Sequence, residues 1–109
     1  MEVKIYQEGK ETVIKIIGRL DTNTSREFEK KLLSVWQNPA EEAEKGKAVC
    51  VDCSDLEYVS SAGLRLFLVM QKMSAAESGS LRLVDMRDEV REIFNVTGFN
   101  AIFKIEQTK

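Results

Sequence analysis

The stretch that decides the fold is residues 48–65, AVCVDCSDLEYVSSAGLR. Its first four residues form an apolar run, which is typical of a strand buried on both faces. Residues 52–55 leave that strand for a loop. A helix is then predicted from about Ser60 to Ala76, where Ser78-Gly79 ends it. A buried strand is thus joined to a helix through two adjacent serines.

Outward from this stretch, strand and helix patterns alternate along the chain. Residues 3–6 and 12–17 are β-type runs around a short gap that contains Gly9, which predicts a hairpin, and Gly18 is expected to end the second run. Residues 24–36 predict a helix, with Thr24 and Glu27 spaced as a capping box, Asn38-Pro39 as its end and 40–47 as a solvated connector. Further on, the pattern predicts a strand at 81–84, a helix at 87–96 that Gly98 stops, and a strand at 102–105.

This order of elements predicts an α/β architecture with an N-terminal hairpin and a mixed, mostly parallel sheet. Right-handed crossovers are expected between its parallel strands. The chain has 109 residues, a length that fits one domain, so we expect residues 1–109 to form a single unit.

The charge balance excludes several classes of partner. Sixteen basic residues against 18 acidic ones leave a net charge of -2, whereas nucleic-acid binding requires a basic face. The same balance argues against a polybasic membrane anchor. No apolar run approaches the roughly 20 residues that span a bilayer, and no signal peptide is visible. A cytoplasmic protein without membrane insertion is expected.

The chain contains no histidine. This removes the usual general base, the usual partner of a nucleophilic serine or cysteine, and the commonest zinc ligand. Gly-rich phosphate loops are absent as well. We therefore expect no enzyme, no metal site and no cofactor.

Cys50 and Cys53 match the C-x-x-C spacing of redox and zinc sites. In redox proteins such a pair lies at a helix start, where the thiol pKa is lowered. Here Cys50 lies within a predicted strand, and residues three apart on a strand point to opposite faces. Packing of Cys50 in the core is the favoured interpretation, and a small redox protein is the alternative.

The serine pair is the more informative feature. A serine at a helix start commonly caps backbone N–H groups, a role that suits Ser60 and leaves Ser61 free. The helix N-terminus tolerates an anion, so Ser61 could carry a phosphate without unfolding the domain. Gly63 in the first turn suggests that something approaches the backbone closely. Asp21 directly follows a buried strand, at the sheet edge where ligands of open α/β sheets usually bind, which makes it a candidate site residue. The alternative interpretation is a solvated aspartate in a loop.

The predicted second helix is apolar around most of its circumference. Only Arg65 and Lys72 form a clearly charged strip, so the helix should be buried on more than one side. Either neighbouring elements cover all of its apolar surface, or one arc meets a partner.

Three segments resemble the STAS domain family, specifically its anti-sigma factor antagonists. Residues 60–64, SSAGL, preceded by VDCSDL at 51–56, are similar to the motif that opens a helix in that family. Residues 18–21, GRLD, resemble the G-x-L-D that ends its second strand, and residues 96–99, VTGF, resemble its closing segment. The resemblance covers essentially the whole chain.

The resemblance implies a right-handed β-α superhelix and a binding role. The partner would be an anti-sigma factor with GHKL-type serine kinase activity, which the unphosphorylated antagonist binds to free a sigma factor. Phosphorylation of Ser61 would block binding, and a PP2C-type phosphatase would restore it. Because Ser60 stands where many members have Asp, Ser60 remains the alternative site.

The resemblance also implies a partner-binding surface, comprising Asp21, Ser60, Gly63, Leu64 and Arg65. A second function is compatible with the same family: a constitutive subunit of a transporter or of a stressosome-like assembly.

Overall fold

The alternating pattern builds one mixed sheet with helices packed against it, as a computed structural model describes for residues 1–36 and 48–108. The strands are β1 (Glu2–Glu8), β2 (Glu11–Leu20), β3 (Ala48–Asp52), β4 (Leu56–Val59), β5 (Ser80–Val84) and β6 (Lys104–Glu106). The helices are α1 (Ser25–Trp36), α2 (Ser61–Ala76) and α3 (Asp88–Val96), and a short 3₁₀ helix covers Phe99–Ala101.

The sheet has the order β1-β2-β3-β5-β6, and β4 pairs with β2 outside that path. β1 runs antiparallel to β2, and every other pair is parallel. The predicted α/β architecture, the N-terminal hairpin and the mostly parallel sheet are confirmed. The predicted helix end at residues 38–39 and the predicted connector at residues 40–47 lie outside the described residues.

The two faces of the sheet carry different side chains because neighbours on a strand point to opposite faces. Ile14, Ile16 and Val49 are fully buried in the main core. On the other face, Val13, Cys50 and Val84 form a smaller buried cluster.

The hairpin turn and the end of β2 differ from the sequence prediction. The turn is only Gly9-Lys10, with Gly9 at φ 64°, so both strands are longer than predicted. Gly18 does not end β2, which continues to Leu20. Instead Gly18 adopts φ 98° at a shift in the register between β2 and β4, and its N–H donates to Asp55 O at 2.9 Å. A left-handed φ favours glycine, so this residue lets one strand bend and pair twice.

The helices close the core largely as predicted. The fully buried Phe67 of α2 and Phe94 of α3 stack edge to face, with ring centroids 5.4 Å apart. Phe103 joins both rings, at 6.3 and 5.9 Å. Gly98 follows α3 at φ 78°, which confirms it as the stop of that helix. The last strand begins two residues later than predicted, because the 3₁₀ helix precedes it.

The start of α1 is built differently from the predicted capping box. The Thr24 hydroxyl accepts the Asp21 N–H at 3.0 Å and donates to Arg19 O at 3.0 Å. Glu27 forms an ion pair with Lys31 one turn on, at 3.6 Å. Among the hydrogen bonds described, none joins Thr24 to Glu27, so Thr24 ties the helix start back to β2.

Candidate functional site

The end of β2 and the start of α2 lie against each other. The Ser60 N–H donates to Leu20 O at 2.9 Å. A Cβ added at Gly63 would lie 2.7 Å from Val59 Cγ2 and 2.9 Å from both Leu20 Cγ and Leu20 O. The close approach expected at Gly63 therefore exists, and the group that approaches is the domain's own strand β2 with the end of β4.

The two serines divide their roles at the helix start. Ser60 is the N-cap of α2 and its hydroxyl accepts the Gly63 N–H at 3.2 Å, which confirms the capping role. Ser61 is the first residue of the helix and is exposed. The first N–H groups of a helix lack a carbonyl partner within it and carry partial positive charge. Ser61 thus presents an exposed hydroxyl in a setting that tolerates an anion.

Asp21 follows Leu20 directly and forms the turn into α1. Its Oδ1 accepts the N–H of Asn23 at 3.0 Å and the N–H of Thr24 at 3.1 Å, and lies 3.2 Å from the Thr24 hydroxyl, whose single proton it shares with Arg19 O. Its backbone oxygen accepts the N–H of Thr24 and Ser25. The hydrogen bond from the Thr24 backbone is the main reason that the pKa of Asp21 is lowered, so this carboxylate stays ionised. The described contacts give it a structural role beside the serine pair.

The remaining predicted residues separate into a buried and an exposed set. Gly63 is buried, and Leu64 is only 5% exposed within the main core. Arg65 is exposed. Residues four apart lie on the same face of a helix, so Arg65 shares the face of Ser61. Ser61 and Arg65 are therefore the exposed residues of this face that can contact a partner directly. Gly63 and Leu64 are buried.

The apolar circumference of α2 is covered mainly by the domain itself. The buried positions are Gly63, Leu64, Leu66, Phe67, Met70 and Ser74. Leu68 and Met73 are partly buried and pack against the same core. The alternative in which neighbouring elements cover the helix is therefore the better description.

The loop before β4 is held from two sides. Lys15 Nζ lies 3.3 Å from Asp55 Oδ2, and Arg87 Nη2 lies 3.8 Å from Asp55 Oδ1. Arg87 Nε also donates to Ser54 O at 3.0 Å. These contacts join β2 and the start of α3 to the chain segment that leads into the serine pair.

Sequence reasoning missed β4 and the contact that it creates. Arg19 and Tyr58 are partners in the β2–β4 register, and the Arg19 guanidinium lies 4.3 Å from the centre of the Tyr58 ring. Such a cation–π contact is worth about 0.5–1 kcal/mol at an exposed site. The signal that could have indicated β4 is its β-type composition, LEYV, although four residues are too few for a clear period.

The two cysteines occupy opposite sides of the sheet, as predicted. Cys50 belongs to the small cluster, whereas Cys53 is fully buried in the main core. Both thiols are free. Burial raises the pKa of Cys50 to about 11 and raises the pKa of Cys53 further, so both stay protonated at neutral pH. The geometry therefore does not support a reactive pair of thiolates.

Across residues 1–36 and 48–108, no group of three or more His, Cys, Asp or Glu is placed to hold a metal ion. In the same part of the chain, no helix combines the length and apolarity that crossing a bilayer requires.

Comparison with known proteins identifies the relatives of this chain. A family model described as "Mlab, STAS domain" matches residues 3–105. The "Putative anti-sigma factor antagonist BtrV" of Bordetella bronchiseptica is 37% identical over 71 residues, which cover 64% of this chain and 61% of that protein. The "Anti-sigma-B factor antagonist" of Bacillus subtilis is 26% identical over 105 residues, covering 96% of this chain and 90% of that one. Proteins of this name are regulatory binding proteins and not enzymes.

Solved structures show the same fold at low identity. A STAS domain protein from Planctomyces limnophilus superimposes with a TM-score of 0.86 at 19% identity, covering 98% of this chain and 91% of that one. The anti-sigma factor antagonist SpoIIAA in its unphosphorylated form gives 0.78 at 17% identity, over 99% and 89% of the two chains. These values show that the chain shares its fold with both proteins.

Proposed function

Because the chain belongs to the STAS domain family, we propose that it is an anti-sigma factor antagonist switched by phosphate on Ser61. In its unphosphorylated form it binds an anti-sigma factor that is also a GHKL-type serine kinase, and a sigma factor is released. The kinase then phosphorylates Ser61, and the complex dissociates. A PP2C-type phosphatase restores the binding form.

The observation that carries this proposal is the division of roles between the two serines. The Ser60 hydroxyl is engaged with the Gly63 N–H, whereas Ser61 is exposed at the first position of α2. A phosphate on Ser60 would disturb the cap of the helix. A phosphate on Ser61 would sit beside unpaired N–H groups, where the helix favours an anion by about 0.3–1 kcal/mol.

The same geometry supports a switch that acts on binding and not on folding. Phosphate adds about -1.5 to -2 charges at neutral pH. In water at the helix start this charge is tolerated. In a contact with a partner it would lose its hydration, which costs several kcal/mol per ion unless the charge is paired.

The partner-binding surface proposed around Ser61 has two parts. Arg65 offers an exposed cation on the face of Ser61. The other four residues act from within the domain: Ser60 and Gly63 contact the end of β2, Asp21 holds the turn into α1, and Leu64 is buried in the core. Their substitution should disturb the surface indirectly.

The test is phosphorylation by the anti-sigma factor kinases of the source genome, with the phosphate mapped by mass spectrometry. Wild type should carry phosphate on Ser61, and Ser61→Ala should carry none. Ser60→Ala is the matched control: it should still be labelled, although loss of the cap costs about 0.5–2 kcal/mol of stability. Phosphate on Ser60 alone would reject the proposal. A stable complex without phosphate transfer would instead indicate a constitutive subunit.

A further inference from the structure

Two charged residues of β1, the edge strand, lie opposite residues of the same charge on β2. β1 is the first strand of the sheet order and pairs with β2 alone among the described strands. In that pair Lys4 lies opposite Lys15, and Glu8 lies opposite Glu11. Like charges directly opposite each other in an antiparallel pair are destabilising.

The two β2 residues of these pairs are neutralised elsewhere. Lys15 is paired with Asp55 at 3.3 Å, and Glu11 receives two hydrogen bonds of 2.8 Å from Arg82. The two β1 residues have weaker partners or none among the described residues. The one ion pair described for Lys4 is with Glu2 at 3.9 Å, between side chains that are 58% and 61% exposed. Among the described residues Glu8 has no ion pair.

The edge also exposes apolar surface and backbone groups. Ile5 is 39% exposed and Tyr6 is 42% exposed. Glu8 and Glu11 close a two-residue turn, so the antiparallel alternation directs the N–H and C=O groups of Val3, Ile5 and Gln7 away from β2. A strand edge of this kind is a template for pairing with another strand.

We propose that this edge pairs, antiparallel, with β1 of a second copy of the chain. A two-fold axis at Tyr6 places Lys4 of each copy opposite Glu8 of the other, so each of these charges gains a partner of opposite charge directly across the interface. The same register sets Tyr6 opposite Tyr6 and lets Ile5 and Gln7 exchange backbone hydrogen bonds. An axis at Ile5 would set Glu2 opposite Glu8, so charge selects the register at Tyr6. The two sheets then form one continuous sheet. This surface is independent of the site around Ser61.

Charge reversal tests the proposal in the full chain. Sedimentation equilibrium should show a reversible dimer of the wild type as concentration rises to the millimolar range. Lys4→Glu and Glu8→Lys should each weaken the dimer by about tenfold, because each places two like-charged pairs in the interface. The double variant should restore dimerisation. Each single change also converts a like-charge pair with β2 into an opposite-charge pair, so the melting temperature should not fall.

Two controls keep the outcome decisive. Lys72→Glu makes the same charge change at an exposed position of α2 and should dimerise as the wild type does. Tyr6→Cys should form an intermolecular disulfide on mild oxidation, since the native thiols are buried. A wild type that stays monomeric overturns the proposal, and so does a dimer that the single reversals leave unchanged. If this edge pairs instead with a strand of another protein, the wild type alone would stay monomeric.

Discussion

Gly63→Ala is the most informative substitution for the link between fold and site. The added Cβ would lie 2.7 Å from Val59 Cγ2 and 2.9 Å from two atoms of Leu20. One of these is the Leu20 carbonyl oxygen, which accepts the Ser60 N–H. Backbone cannot yield as a flexible side chain can, so the first turn of α2 must move away from β2.

The magnitude follows from two opposing effects. Overpacking typically costs 1–3 kcal/mol, so we take about 2–3 kcal/mol for a contact that includes backbone. Alanine gains about 1 kcal/mol over glycine in helix propensity. The net loss is about 1–2 kcal/mol, which lowers Tm by roughly 4–16 °C in a domain of this size.

The assay is thermal unfolding together with the rate of Ser61 phosphorylation. The variant should melt earlier and be phosphorylated more slowly, because the hydroxyl of Ser61 moves with the turn. Ala62→Gly is the matched control, since it alters helix propensity at the adjacent, preceding position without adding an atom. An unchanged or raised Tm for Gly63→Ala would refute the reasoning.

Three further predictions concern other parts of the described structure. Cys50 should react slowly with iodoacetamide at pH 8 while the protein is folded and quickly after unfolding, because burial raises its pKa to about 11; fast native alkylation would contradict this. Arg82 lowers the pKa of Glu11 through a hydrogen bond, so the pair stabilises the fold above the ordinary value of 4.5 and this contribution is lost as pH falls through the lowered pKa. Urea midpoints of wild type and Glu11→Gln should therefore differ at pH 7 and converge in acid, and a difference that does not change with pH would be evidence against the pair. Asp21→Ala should lower Tm and slow the phosphorylation of Ser61, because the start of α1 loses the carboxylate that accepts the Thr24 N–H. An unchanged Tm would contradict a structural role for Asp21.

Most of the fold was predictable because its signals are local. Hydrophobic runs marked β2, β3 and β5, and the serine pair with its following apolar residues marked α2 within one residue. β4 was missed, and so was the continuation of β2 past Gly18. Both depend on the pairing of β2 with two parallel strands, which is a long-range property that no local period reveals.

The site was predictable in its chemistry and less so in its packing. The capping role of Ser60 followed from the preference of helix starts for serine, and the structure confirms it. The burial of Leu64 could not be read from the sequence, because α2 is apolar around most of its circumference. The approach of Leu20 to Gly63 requires the register of β2 beside β4, which the sequence does not give.

The central claim is that phosphate on Ser61 switches binding. Calorimetry of the partner kinase against wild type, Ser61→Ala and the Ser61-phosphorylated protein measures this most directly. Burial of an unpaired dianion in the contact should weaken the phosphorylated complex by at least about a hundredfold, or about 2.8 kcal/mol. Ser61→Ala should bind as tightly as the unphosphorylated wild type and should keep that affinity when ATP is present. Equal affinities of the phosphorylated and unphosphorylated forms would contradict the account.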